Sequence, residues 1–315
     1  MGIREESLMT DTPLIVNYGG GVDSTAILVG FQARGIRPDL IIFSDVGSEK
    51  PETYSYLDTM DSWLIAHGLP TITRVKRYDI IGRRGTTYNT IYENCIHNET
   101  LPSIAFGFRR HSCSIKWKAE VITKYIRSWQ PAVDAFEAGL RPVQCIGYDA
   151  SDSDMKRRKR ADSYGSTDKH RCPTEMQYPL QDWGWDRDEC RRQIQRAGLP
   201  LPKKSACFFC PASKTWEIAE LAATNPELLM QAFEMERLHL TGKHSHKNTT
   251  CLGLGFTFSW TQWCSEQGIV TDGCINRDRA TQVRNELNPQ DTLERTRCSA
   301  TFTQLTFNMG IREEN

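Results

Sequence analysis

Residues 13–35 read PLIVNYGGGVDSTAILVGFQARG. Leu14 to Val16 form a short apolar, β-branched run, and the letters from Asp23 onward carry apolar residues at helical spacing. Between them stand three consecutive glycines, Gly19, Gly20 and Gly21, followed by Val22, Asp23 and Ser24. Glycine loses more backbone freedom on folding than any other residue, so the junction needs bare backbone. A strand, a glycine turn and a helix together create an anion site, because the first helical turn has unpaired N–H groups and the positive end of the dipole. Asp23 adds a carboxylate for a metal-linked contact and Ser24 a hydroxyl donor. The stretch therefore predicts phosphate binding, against the plainer reading of a tight turn. Two other phosphate signatures are excluded by the letters: no G-x-x-x-x-G-K-[ST] is present, and the third glycine and later acid of a dinucleotide fingerprint are missing.

Working outward, apolar runs at LIIFSD (40–45), TITRVKR (71–77) and VQCIGYD (143–149) alternate with helical patterns at 52–68, 115–129 and 187–198. That alternation predicts an α/β fold: an open, mainly parallel, doubly wound sheet with helices on both faces. Ligands in such folds sit at the carboxyl ends of the strands, where the order of strands reverses. After about residue 200 the pattern changes to two helices, 215–225 and 226–240, followed by a stretch rich in Cys, Thr and Gly without clear periodicity. The predicted domains are 1–200, a nucleotide-binding domain, and 201–315, a smaller cysteine-containing helical and irregular region. The hexapeptide MGIREE at 1–6 recurs at 309–314, and two copies do not make a repeat architecture.

The chain has 315 residues, 39 basic and 39 acidic side chains and no net formal charge. That profile suits an ordinary soluble protein rather than a tail, coat or membrane protein, and it argues against constant nonspecific nucleic-acid binding. Two locally basic stretches, Phe108 to Lys118 and Lys156 to Arg160, are either solvated faces or a place to hold a polyanion. No apolar run is long enough to span a bilayer and the first residues lack a secretory pattern, so a cytoplasmic protein with no membrane partner is expected. Eleven cysteines are too scattered for a disulfide framework, and their close spacings point to metal or sulfur chemistry.

GGGVDS (19–24) resembles the PP-loop S-G-G-x-D-S of the ATP pyrophosphatases and phosphoadenosine phosphosulfate (PAPS) reductases, with Gly19 in place of the first serine. Further segments agree in order. FSDVGSEKPETYSYLD (43–58) is similar to F-x-D-T-G-x-E-x-P-E-T-Y, placing Asp45 and Gly47 beside the adenosine. RRHSCSIKWK (109–118) resembles the R-x-C-x-x-x-K stretch, and IGYDASDSDMKRR (146–158) the G-x-x-x-x-E-S-x-x-R segment, with Asp152 or Asp154 as the acid and Arg157 or Arg158 as the cation. YPLQDWGWDRDECRRQIQRAGLP (178–200) looks like the P-L-x-x-W motif with its helix, and SACFFCP (205–211) like a C-x-x-C-P. The matches run from about residue 14 to 212. They imply the PAPS reductase-like group of the adenine nucleotide α-hydrolase superfamily.

Cys207 and Cys210 have the spacing by which a tight turn aims two thiolates at one metal or cluster. On the spacing alone zinc, iron–sulfur, dithiol redox chemistry and simple burial all remain open, and Phe208 and Phe209 favour a desolvated site. The resemblance adds Cys113 as a third ligand, with Cys145, Cys172 and Cys190 as candidates for a fourth. A three-cysteine [4Fe-4S] cluster with an open iron resembles PP-loop tRNA thiolases; Zn2+ is the alternative. The C-C pair and the C-terminal E-C-G-x-H of dedicated sulfonucleotide reductases are missing, and DGCIN around Cys274 is only an echo.

The resemblance implies an enzyme that binds ATP or a related adenine nucleotide with Mg2+. Phosphates lie on Gly19, Gly20, Gly21, Val22, Asp23 and Ser24, with the metal held with help from Asp23 or Asp45. Adenylyl transfer releases pyrophosphate, stabilised by Lys116, Arg157 or Arg158, and activates an acceptor for sulfur transfer. The acceptor is a nucleic acid, a nucleotide or a small metabolite, and the partners implied include a sulfur donor or reductant protein. Two other readings stand beside it: reduction of an adenylyl sulfate, and a non-catalytic nucleotide- or nucleic-acid-binding module stapled by zinc. Trp183 and Trp185 could stack on a base, with core packing the better account of at least one. His239, His244 and His246 read as loop histidines after a helix, and the pattern at 226–238 reads as a core-facing amphipathic helix.

Overall fold

The structure, a computed structural model of the chain, describes residues 12–80, 89–102, 112–165, 174–242 and 251–289. The chain divides into two compact units, Met1–Asn94 with Arg110–Cys207, and Cys95–Arg109 with Phe208–Asn315.

The first unit is built on a five-stranded sheet: β1 (Leu14–Asn17), β2 (Leu40–Asp45), β3 (Ile72–Lys76), β4 (Val143–Cys145) and β5 (Glu175–Gln177). The order across the sheet is β3-β2-β1-β4-β5, and every pairing is parallel. The expected doubly wound parallel sheet is therefore present. Because side chains alternate across a strand, one sheet needs two apolar layers. Leu14, Val16, Ile41, Phe43 and Val143 face one way, against α1 (Val22–Ala33), α2 (Pro51–Ala66) and α10 (Arg187–Arg196). Ile15, Leu40, Ile42 and Val75 face the other way, against α6 (Glu120–Ser128) and α7 (Gln130–Glu137). Double burial explains why β1 and β2 read as apolar runs, whereas β3, at a sheet edge, carries Arg74 and Lys76 exposed.

Short helices α3 (Arg77–Ile80) and α4 (Ile91–Asn98) follow β3. The pattern read as one helix over 115–129 is interrupted: α5 (Ser112–Ser114) runs into a π-helical turn, Ile115–Ala119, before α6 begins, and Pro131 sits at the start of α7. After β4 come α8 (Asp152–Gly165) and, beyond β5, α9 (Pro179–Asp182). Trp183 packs against α1 where Gly30 leaves room, since a Cβ there would lie 2.2 Å from the indole. Trp185 is buried in this layer, and Trp183 is partly buried against it.

The second unit contains α11 (Thr215–Thr224), α12 (Pro226–Thr241), α13 (Trp260–Glu266) and α14 (Arg277–Leu287), with α11 packed on α14. A hairpin pairs β6 (Val270–Thr271) with β7 (Cys274–Ile275), turning through Asp272 and Gly273, both at positive φ, as an Asp-Gly hairpin turn requires. Glu236 on α12 is 1% exposed, and its carboxylate accepts from the backbone N–H of Leu254, Trp260 and Thr261 and from the hydroxyls of Ser259 and Thr261, at 2.6–2.9 Å. Among the described residues no helix is long and apolar enough to cross a membrane.

Candidate functional site

In a sheet ordered 3-2-1-4-5 the chain leaves β1 towards one edge and β4 towards the other, so a crevice opens between their carboxyl ends. The loop after β1 is the glycine run. Gly20 adopts φ +71°, and a Cβ there would meet Thr53 at 3.1 Å, so its place in the turn belongs to glycine. Gly21 caps α1 without a side-chain hydrogen bond, and a Cβ added to it would meet nothing within 4 Å. The first turn of α1 thus begins uncapped, beside open space. Ser24 stitches the loop: Gly19 N–H donates to its hydroxyl at 3.1 Å, and the hydroxyl donates to the Gly21 carbonyl at 3.2 Å. Val22 is buried in the core behind it.

The loop after β4 comes in from the other side. A Cβ on Gly147 would lie 3.0 Å from the Ser24 nitrogen and 3.2 Å from Asp23, so a larger residue would force these two backbones to give way. Gly147→Ala should push them apart at a cost of about 1–3 kcal/mol. Thermal unfolding beside nucleotide binding checks this: both should fall, and an unchanged melting temperature would refute the close approach.

That approach delivers Asp149. Ligand oxygens of Asp23, Asp149 and Asp154 lie within 4.8 Å of one another, a grouping of potential metal ligands in which Asp149 and Asp154 are buried. Asp149 Oδ1 accepts from Ser151 N–H at 2.9 Å, and Asp154 Oδ2 from Asp149 N–H at 3.2 Å. Two guanidiniums flank the acids: Arg187 is bonded to Asp23, and Arg157 to Asp154 at 2.9 Å. Burial holds the Asp23 carboxyl above the usual carboxylate range, Arg187 pulls it down, and the Asp149 and Asp154 charges push it up. Three close acids with two cations leave a net negative charge, a donor set suited to a hard divalent cation such as Mg2+.

The sequence left Asp152 and Asp154 as alternatives; Asp154 turns inward and Asp152 is exposed. Of the two arginines, Arg157 stands at the cluster with its guanidinium 4.4 Å over the Tyr148 ring. Arg158 instead lies 4.7 Å over Tyr178 and 3.7 Å from Asp182. Asp45 belongs to a different arrangement: Oδ1 accepts from Gly47 N–H at 2.7 Å and from Tyr54 OH at 2.8 Å, while Oδ2 lies 3.7 Å from Lys76. It holds the turn after β2, in which Gly47 has φ +67°.

Lys116 is exposed on the π-helical turn, where its carbonyl accepts from Arg77. The inward lysine is Lys118, whose Nζ lies 2.7 Å from Glu49, a carboxylate with 0% side-chain exposure. Glu49 in turn forms an antiparallel bridge with Cys207, and Lys50 N–H donates to the Ala206 carbonyl at 3.3 Å. The segments that carry Cys113 and Cys207 therefore share Glu49 as an anchor. Cys113, Cys207 and Cys210 are each half-buried, whereas Cys145 and Cys190 lie in the core with thiols pushed up by burial. Phe208 and Phe209 are buried, while the cysteines on either side of them are not. Cys172, His244, His246 and the repeated hexapeptide lie outside the described residues.

No family model and no curated protein matches the chain. Among solved structures it is similar to the U34-tRNA thiolase NcsA from Methanococcus maripaludis with its [4Fe-4S] cluster, at 14% identity, over 86% of each chain and with a TM-score of 0.39. A likeness that loose says nothing of what this chain binds or does.

The sequence reading missed Asp149, Gly147 and Arg187. Gly147 and Asp149 had a signal: like Gly21 and Asp23, they are a glycine and an acid just beyond the end of a parallel strand, where the rule of the switch point looks for ligands. Arg187 had none, since it lies 164 residues from its partner.

Proposed function

We propose that the protein binds ATP or a related adenine nucleotide at the β1/β4 crevice and catalyses adenylyl transfer with release of pyrophosphate. The observation that supports this is the meeting of Asp23, Asp149 and Asp154 beside an uncapped helix start and a bare glycine loop. Amides of the glycine loop and first turn of α1 take the phosphates, as helix N-termini do for anions. The three carboxylates would hold Mg2+, which supplies a Lewis acid for a phosphoryl oxygen and offsets the charge of the departing pyrophosphate. Arg157 stabilises that departing charge from the Asp154 side. A substrate oxygen attacks the α-phosphorus, the bond from the α-phosphorus to the bridging oxygen breaks, and pyrophosphate leaves with the electron pair.

The adenylylated acceptor is then primed for displacement, on this reading by sulfur. Cys113, Cys207 and Cys210 are the residues that would hold a [4Fe-4S] cluster, which supplies an open iron able to carry that sulfur; zinc on the same thiols would supply only a staple. Each of the three thiols is half-buried and Phe208 and Phe209 are buried, but no cysteine belongs to the group of close ligand atoms found among the described residues.

The test is in two arms on anaerobically purified protein. With Mg2+ present, ATP should bind, and ATP–pyrophosphate exchange should appear with a competent acceptor. A Cβ on Gly19 meets no neighbour closer than 3.8 Å, so Gly19→Ser is accommodated and should tighten ATP binding about fivefold by adding one phosphate hydrogen bond. Iron and acid-labile sulfide in near-equal amounts, lost in Cys207→Ala/Cys210→Ala, supports sulfur transfer. Zinc without sulfide replaces it with adenylylation or binding alone, and turnover of PAPS with a reductant selects the reductase. Failure of any adenine nucleotide to bind removes the whole reading.

A further inference from the structure

Arg187 opens α10, whose N-cap Asp186 accepts from Glu189 N–H at 2.8 Å. A cation in the first turn of a helix faces the positive end of the dipole, which disfavours it. The other charged residues of that turn, Asp188 and Glu189, have the favoured sign. Arg187 is thus unfavourable for its own helix, and its charge is accounted for by Asp23, to which the guanidinium is bonded.

The bracket around the acids is asymmetric in exposure. Arg187 and Arg157 have side chains 46% and 52% exposed, whereas Asp23 and Asp154 are 21% and 10% exposed. Both cations therefore reach in from the solvent side over acids that stay in place. A half-exposed ion pair contributes little net stability, so its cation can be exchanged at low cost. A planar guanidinium is also well suited to phosphate oxygens once its carboxylate is taken.

We propose that Arg187 is an exchangeable counter-ion and phosphate-positioning residue. In nucleotide-free protein it neutralises Asp23; when a magnesium nucleotide arrives, the metal takes Asp23 and the guanidinium moves to a phosphate oxygen. This rests on the crevice being a nucleotide site. The exchange makes one residue act in opposite directions: it competes with a bare cation, and it supports a cation that arrives carrying phosphate.

The experiment measures Mn2+ binding without nucleotide by electron paramagnetic resonance, and magnesium–ATP binding by calorimetry, in the wild type, Arg187→Gln and Arg187→Lys. Arg187→Gln should bind Mn2+ several-fold more tightly and magnesium–ATP about tenfold more weakly. Arg187→Lys should restore both towards the wild type. A bracket that merely fastens α10 to α1 would not split the two affinities. Mn2+ binding unchanged or weakened in Arg187→Gln, with nucleotide binding intact in the wild type, overturns the role of Arg187 alone. A wild type that binds Mn2+ but no adenine nucleotide overturns the nucleotide site. A wild type that binds neither overturns both.

Discussion

Asp23→Asn should lower pyrophosphate release on the order of 10²-fold or more while leaving the protein at least as heat-stable as the wild type. The loss follows from the position of Asp23 at the first turn of α1, where its carboxylate completes the set with Asp149 and Asp154. The amide keeps the shape but not the charge, and it makes a poor ligand for a hard cation. The stability half follows from electrostatics. Burial and two neighbouring acids hold the Asp23 carboxyl above its ordinary range, so at neutral pH the folded state carries a charge that it disfavours relative to the unfolded chain. Asparagine relieves that cost, and the ion pair lost with Arg187 offsets it by no more than about 1 kcal/mol. The sign against pH is set by the same shift. A raised folded pKa means that the wild type gains stability as pH falls through it, so any advantage of the variant should shrink on acidification. Kinetics and thermal melts across pH check both halves. A variant that keeps wild-type turnover, or melts well below the wild type, would contradict the assignment of Asp23 as a metal-holding acid.

Glu236→Ala should unravel the link between α12 and α13. Its carboxylate receives five hydrogen bonds, three from backbone amides at Leu254, Trp260 and Thr261, with two of those amides at the start of α13. A Cβ at Gly253 would strike this carboxylate at 2.1 Å, so the loop is wrapped closely around it. Truncation leaves several buried donors without an acceptor and removes the negative charge from the positive end of a helix, for a loss of about 3–5 kcal/mol. Hydrogen exchange at Leu254, Trp260 and Thr261 reads the effect locally, which suits a chain of two units better than a single melting temperature. Protection of these amides within a factor of three of the wild type would show that the loop holds without Glu236.

What could be read from the letters was what burial writes into them. The central strands β1 and β2 are covered on both faces, so each reads as an apolar run, whereas β3, at a sheet edge, buries only Ile72 and Val75. Strand β5 escaped notice because it is three residues long, lies at the sheet edge and has mostly exposed side chains. The glycine loop was legible because three adjacent glycines have few structural uses. Its partner acid was not, because Asp149 acquires its role only when Gly147 lets two loops meet. Lys116 and Lys118 are indistinguishable by composition, and the π-helical turn decides which of them reaches Glu49. Glu236 looked like a polar position on an amphipathic helix; its burial is imposed by a loop that follows it in the chain.

The chain enters each of its two units twice, with residues 95–109 leaving the first and residue 208 ending it. During synthesis the first unit cannot close when its opening ninety or so residues leave the ribosome, because β4, β5 and α10 have yet to be made. Its last stitch is later still: the bridge from Glu49 to Cys207 and the bond from Lys50 to Ala206 wait for the end of the segment. A fragment cloned to stop at residue 200, where the letters change character, would leave that seam open beside the glycine loop. One carried through Cys207 would retain it.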